Sequence, residues 1–256
     1  SREELLDTIV SVADRARDDG VEVHFDAMDG FRTDPAQLDA LFDAVDAELY
    51  TLADTVGGRT PAGVVHHLDA MTTDPGRLGV HFHDDLGVAT ANTLAAARLG
   101  VARADVSVAG LGERAGNAVL EEVVEAAVVG DEPITLDVDE RRLLPTARAV
   151  LDALDEDVEP AKALLGDEVF SHESGLHTAA MLDDPATFEP FDPARFGGQR
   201  RLLFGSATGK GAARRLLERA DREPTEERVA ALLDRLDDAD EELSLEAAAA
   251  LAGEVA

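Results

Sequence analysis

The stretch Leu78-Gly79-Val80-His81-Phe82-His83-Asp84-Asp85-Leu86-Gly87, continuing through Val88–Leu99 to Gly100, decides the fold. Leu78–His83 predicts a strand and Val88–Leu99 a helix closed by Gly100. The pattern repeats outward. Downstream, Asp105–Ala109 reads as a strand and Asn117–Val129 as a helix closed by Gly130. Upstream, Leu49–Asp54 is a strand, and Thr60–Met71 is a helix entered by Pro61. Before these come the strand Val21–Ala27 and the helix Asp34–Glu48, with Pro35 in its first turn. Strands therefore start near 21, 49, 78 and 105, at spacings of 28, 29 and 27 residues. Strands alternating with helices at this interval predict a parallel sheet with right-handed crossovers. A (β/α)₈ barrel needs eight such units in about 250 residues. Four units fit half a barrel, or the sheet of a smaller doubly wound domain.

The flanks differ. Ser1-Arg2-Glu3-Glu4 has the form of a capping box, and Leu5, Leu6, Ile9, Val10, Val12, Ala13 and Ala16 follow at helical spacing to Gly20. No strand precedes this helix. Beyond Gly130, Asp131–Asp139 is a polar connection and Arg141–Asp155 a helix. Val158–Arg201 is rich in loop residues, with Pro160, Pro185, Pro190 and Pro193. A glycine-rich turn, Gly205–Gly211, leads to the helices Ala212–Asp221, Thr225–Leu236 and Ser244–Glu254. The expected domains are 1–130, a partial barrel, and 131–256, a mainly helical linker and subdomain module.

Composition removes several function classes. Asp and Glu number 54 against 23 Lys and Arg, a net charge of −31. Such a surface repels nucleic acid and anionic membranes. No apolar run approaches the ~18 residues of a membrane span, and the chain opens without the pattern of a signal peptide. The absence of cysteine excludes disulfides, thiolate nucleophiles and cysteine-ligated zinc. Only Lys162 and Lys210 are lysines. This Asp-rich, Lys-poor surface fits a cytoplasmic protein of a high-salt cell, where screening quenches self-repulsion; an acidic mesophilic protein is the alternative.

Among seven histidines, His81 and His83 are the most informative. Two apart at the carboxyl end of a strand, they point to one face, where barrels carry their active sites. Paired imidazoles suit a divalent cation; two histidines at the end of an acidic strand is the plainer reading. Gly110-Leu111-Gly112-Glu113-Arg114-Ala115-Gly116-Asn117 lets backbone approach a ligand, and it offers a charge pair and an amide oxygen. It also reads as a tight turn with Asn117 as a helix cap. Asp54-Thr55-Val56-Gly57 places a hydroxyl at a strand end, or is only a turn. Ser171-His172-Glu173-Ser174-Gly175-Leu176-His177 lacks a Gly-x-Ser-x-Gly elbow. Gly205–Gly211 lacks P-loop spacing.

Taken together and in order, these motifs resemble the 2-isopropylmalate, homocitrate and citramalate synthases. The likeness runs from Ser1 to about Leu217. It implies the C-terminal half of a (β/α)₈ TIM barrel followed by a helical linker module. It also implies an acyltransferase that condenses acetyl-CoA with a 2-oxoacid in amino-acid biosynthesis, as a homodimer using Mg, Mn or Zn. By the resemblance, His81, His83 and Asn117 are metal ligands, Thr55 contacts substrate, and His177 with Glu173 serves proton transfer. No nucleic acid or membrane partner is implied.

Three departures from the family pattern stand out. The opening Asp-x-x-x-Arg-Asp/Glu-Gly strand and the rest of the first four strands are missing. Met28 stands where most members carry a Glu that works with the linker histidine. The residues of this sequence hold no counterpart of the regulatory C-terminal domain that feedback-inhibited members carry. The alternatives are an inactive remnant or binding module of the same fold, and an acyl-CoA lyase of the superfamily. A half barrel is expected to expose two sheet edges and an apolar inner face. It is therefore expected to be dimeric, joined to its missing half, or poorly soluble at low salt.

Overall fold

A computed structural model describes residues 2–130, 132 and 134–255, apart from the side chain of Arg2. The capping box read at Ser1 and the domain boundary expected at 130/131 fall outside the described residues. The chain divides into two compact units, one up to Val138 and one from Asp139.

The first unit opens with α1 (Arg2–Asp18) and continues β1 (His24–Ala27), α2 (Pro35–Val45), β2 (Leu49–Asp54), α3 (Pro61–Asp69), β3 (Leu78–Phe82), α4 (Ala89–Arg98), β4 (Arg103–Asp105) and α5 (Leu120–Val129). The helix starts follow from local chemistry. The Asp34 carboxylate accepts the Ala36 and Gln37 N–H groups ahead of α2, Thr60 Oγ1 accepts that of Gly63 ahead of α3, and a proline fills the first position of each helix.

All four strands pair in parallel in the order β1-β2-β3-β4. Sequential order with crossovers of one hand lays every helix on one face, the winding of a barrel segment and not of a doubly wound sheet. Even-numbered positions Tyr50, Leu52, Leu78, Val80 and Phe82 face the helices, where they pack with Leu38, Phe42, Val45, Val64, Leu68, Ala89 and Ala96. Fully burying each large side chain of this kind contributes about 1.5–3 kcal/mol.

The opposite face carries His24, Asp26, Thr51, Ala53, Gly79, His81, Arg103 and Asp105, as register and alternation require. This corrects the expectation of an apolar inner face: the alternate positions of these strands are largely polar. Arg103 Nη1 lies 3.1 Å from His24 Nδ1, bridging the two outer strands across the central pair. That face is therefore concave.

Boundaries of β1, β3 and β4 also differ from expectation: β3 stops at Phe82, one residue short of His83, and β4 opens at Arg103, ahead of Asp105. β1 begins at His24 because β2 offers no ladder before Leu49; the Val23 carbonyl accepts the Glu48 N–H, but the Val23 N–H turns to the Glu48 carboxylate at 2.7 Å. β4 ends at Asp105, short of Ala109. Beyond it the chain turns through a 3-10 segment at Val108–Gly110, with Ala109 at φ 54°. The following helix starts at Leu120, so Asn117 does not cap it.

The second unit holds α6 (Leu143–Leu154), β5 (Ser171–His172), α7 (Gly175–Met181), β6 (Arg201–Phe204), α8 (Lys210–Arg219), α9 (Glu226–Asp237), β7 (Leu243–Ser244) and α10 (Leu245–Gly253). The segment Val158–Arg201 thus contains a strand and a helix besides its loops. β6 lies between parallel β5 and antiparallel β7. Phe204, Leu216, Leu217, Val229, Leu232, Leu236, Ala248 and Ala252 form the core of this unit. The Gly205–Gly211 turn is closed by its own residues: the Gly205 N–H donates to Thr208 Oγ1, and α8 already begins at Lys210.

Candidate active site

The loops after β1 to β4 gather at the carboxyl ends of the strands. Asp54, 1% exposed, ends β2 and accepts the N–H groups of Gly58 and Arg59 at 3.1 and 2.7 Å, which rigidifies the loop carrying Thr55. Thr55 Oγ1 accepts the Asp29 N–H at 2.8 Å. Asp29 sits at φ 58°, and its carboxylate is held by the Arg32 guanidinium, which keeps its pKa below the usual range.

His81 and His83 leave the sheet on the same side, flanking the buried Phe82. Their rings meet edge to face, with the Nε2 atoms 3.4 Å apart. Two nitrogens bound to one tetrahedral ion at about 2.0–2.1 Å each stand ~3.3 Å apart, so this spacing suits a shared cation. Asn117 faces His83 across an isolated antiparallel bridge. Its Nδ2 donates to the Leu111 carbonyl at 3.1 Å, and Oδ1 remains buried without a partner, as does His83 Nδ1. Buried polar atoms left without partners call for an explanation, and a bound ion is one that imidazole and amide oxygen donors fit.

The glycine motif makes this arrangement possible. A Cβ on Gly112 would stand 2.3 Å from Asn117 Nδ2. Gly116, at φ +94°, would bring a Cβ to 2.1 Å from the Gly110 carbonyl oxygen. Only glycine fits either place. Arg114, at φ 58°, turns its guanidinium onto Asp85, whose pKa it lowers, and onto the Thr55 carbonyl.

Among the described residues no three or more His, Cys, Asp or Glu side chains form a metal-holding group. The donors that gather are two imidazoles and one amide oxygen. In type they fit a divalent ion as part of a shell that further oxygen donors complete.

His81, His83 and Asn117 are thus brought together, and Thr55 is tied to the neighbouring loops. Met28, 70% exposed, follows β1. Glu173 and His177 belong to the second unit. There His177 stacks on Phe188 with ring centroids 3.9 Å apart. His172 lies beside it and 3.7 Å from the Glu189 carboxylate, which Arg200 grips through two nitrogens at 2.7 and 2.5 Å. Burial lowers the His172 pKa against the pull of Glu189. Glu173 is exposed and turns to Glu242, whose pKa rises through burial and this neighbouring carboxyl. Asp105 and the Asp85–Arg114 pair have no local signature. Their roles depend on strand register and loop packing.

The parallel β/α sheet of barrel type carries its paired imidazoles at the carboxyl mouth, where barrel enzymes hold their active sites. The chain belongs to the HMGL-like family, whose model matches residues 1–150. A second model, the homocitrate synthase post-HMGL domain-like one, matches residues 164–243. The chain is 39% identical over 244 residues to a homocitrate synthase of Methanopyrus kandleri, covering 92% of this chain and 60% of that one. It is 34% identical to a 2-isopropylmalate synthase of Dictyoglomus turgidum, over 85% of this chain and 45% of that one. It therefore spans about half the length of the curated relatives it matches. A solved HMG-CoA lyase of Bacillus subtilis superposes with a TM-score of 0.53 at 26% identity, covering 62% of this chain and 58% of the lyase. No helix of the described residues is long and apolar enough to cross a membrane.

Proposed function

We propose that the chain carries part of the site of an acyltransferase that condenses acetyl-CoA with a 2-oxoacid. The observation that carries this reading is the His81–His83 pair, with Nε2 atoms 3.4 Å apart, beside the unpartnered Asn117 Oδ1. In this reading His81, His83 and Asn117 hold a divalent ion, which when bound supplies Lewis-acid polarisation of a ketone. Thr55 has already committed a lone pair to the Asp29 N–H, so its hydroxyl proton is free to donate to substrate. His177 is assigned proton transfer, with Phe188 fixing its ring and Glu173 assisting. Loss of a methyl proton from acetyl-CoA yields a carbanion. Its attack on the ketone carbon forms the C–C bond, the new alkoxide takes a proton, and water hydrolyses the thioester to free CoA. Homodimerisation and a cytoplasmic location belong to the same reading.

The match to the homocitrate synthase post-HMGL domain-like model favours a synthase over a lyase. Met28, which follows β1, favours a second reading, a binding module without turnover, because a thioether cannot take a proton as the glutamate that the resemblance expects there would. The test is release of free CoA from acetyl-CoA with pyruvate, 2-oxoisovalerate or 2-oxoglutarate in the presence of Mg²⁺, Mn²⁺ or Zn²⁺, using the complete gene product. The synthase reading expects release with one of these acids. Release with none, alongside calorimetric uptake of a 2-oxoacid, favours the binding module.

A further inference from the structure

We propose that Asp105 is a positioning residue that keeps the His81 proton on Nδ1, so that Nε2 presents its lone pair toward His83 and a divalent cation. The proposal rests on the reading of His81, His83 and Asn117 as cation ligands. Asp105 and His81 are direct partners in the β3–β4 register, so the carboxylate and the imidazole share the concave face. Arg103 fixes the carboxylate: its Nε and Nη2 both reach Oδ1 at 3.0 Å. Arg103 is in turn steadied against His24 Nδ1 at 3.1 Å. Oδ2 is left turned to His81 Nδ1 at 3.6 Å, within ion-pair reach and longer than a hydrogen bond. Such contacts in unliganded sites are often long and tighten on binding. A carboxylate behind one imidazole nitrogen selects the tautomer, raises the basicity of the other nitrogen and directs it to the metal. The two Nε2 atoms converge from the far sides of both rings. Two lone pairs that close repel unless a cation or proton lies between them, so fixing the His81 tautomer primes the pair for a cation.

The experiment reads tautomers and affinity separately. Long-range ¹H–¹⁵N correlation spectra of the whole chain without metal should show His81 protonated on Nδ1. Asp105→Asn keeps an acceptor but drops the charge, and Asp105→Ala drops both; the Nδ1–H population should fall in that order. Titration with Zn²⁺ should show affinity lowered by about 10-fold or more in Asp105→Ala, with His81→Ala as the reference for loss of a ligand. A His81 proton on Nε2 in the wild type overturns the inference even where Zn²⁺ binds. So does an Asp105→Ala chain with unchanged tautomer and affinity. If neither the wild type nor His81→Ala takes up Zn²⁺, the ligand reading falls and takes this inference with it.

Discussion

The Arg114 guanidinium meets the Asp85 carboxylate side-on, Nε to Oδ1 at 2.9 Å and Nη2 to Oδ2 at 3.0 Å, and the same Nη2 donates to the Thr55 carbonyl at 2.9 Å. One side chain thus joins the loops that follow β2, β3 and β4. Arg114→Lys removes the planar fork that makes all three contacts at once. Amide exchange at Thr55–Gly58 and Asp84–Gly87 should accelerate in Arg114→Lys and in Asp85→Asn, and the double variant should add little to either. Independent, additive effects would show that the clasp is not the link.

His67 is 6% exposed, packs on Phe31 with ring centroids 5.1 Å apart, and leaves Nε2 without a partner. Burial lowers its pKa from the ordinary 6.5, with Arg59 adding to the effect and Asp34 opposing it. The unfolded chain therefore binds the proton more tightly than the native one. Stability from this residue is complete above about pH 6.5 and falls as pH drops through that value toward the native pKa. Urea midpoints should decline between pH 7.5 and 5.5, and the decline should be shallower in His67→Leu. Equal slopes in the two proteins would rule out His67 as a contributor.

Tyr50 anchors α2 to β2. Its hydroxyl accepts the Ala47 N–H at 3.0 Å and donates to the Phe42 carbonyl at 2.8 Å, and its ring stacks on Phe42 at 4.3 Å. Tyr50→Phe keeps the stacking and strands the Ala47 N–H, while the Phe42 carbonyl keeps the Asp46 N–H at 3.2 Å; the cost is about 1–3 kcal/mol. Thermal or urea unfolding measures it, and a loss well under 1 kcal/mol would mean that water accepts the Ala47 N–H in place of the hydroxyl.

Gly112→Ala places a methyl 2.3 Å from Asn117 Nδ2. The amide must move, at a cost of about 1–3 kcal/mol in stability, and its oxygen moves with it. Zn²⁺ titration should show weaker uptake in Gly112→Ala, in step with Asn117→Ala. Retention of affinity in both would remove Asn117 from the ligand set.

The net charge of −31 should make stability rise with salt, since screening shortens from about 10 Å at 0.1 M to about 3 Å at 1 M. Denaturation midpoints should increase from 0.1 to 2 M KCl. A flat or falling profile would return the surface to an acidic mesophilic protein.

The four β-α units, the parallel sheet, the Pro-led helix starts and the grouping of His81 with His83 were all legible in the chain. Each depends on periodicity, turn residues or alternation within about thirty residues, and local chemistry dictates these directly. β5, β6 and β7 were not legible, because runs of two to four residues are too short for alternation to register. α5 starts at Leu120 and not at Asn117, which resembles a cap by residue type but whose backbone is claimed by the bridge to His83.

What the sequence by itself determined is therefore the class of fold, the family motifs and which side chains are candidates for chemistry. The tertiary structure alone decided the pairing of His81 with Asp105, the closure of Arg114 on Asp85, the free Asn117 oxygen and the polar concave face. The physical reason is that these contacts are set by register and loop packing. They join strands and loops distant along the chain, and no local propensity encodes which atoms then meet.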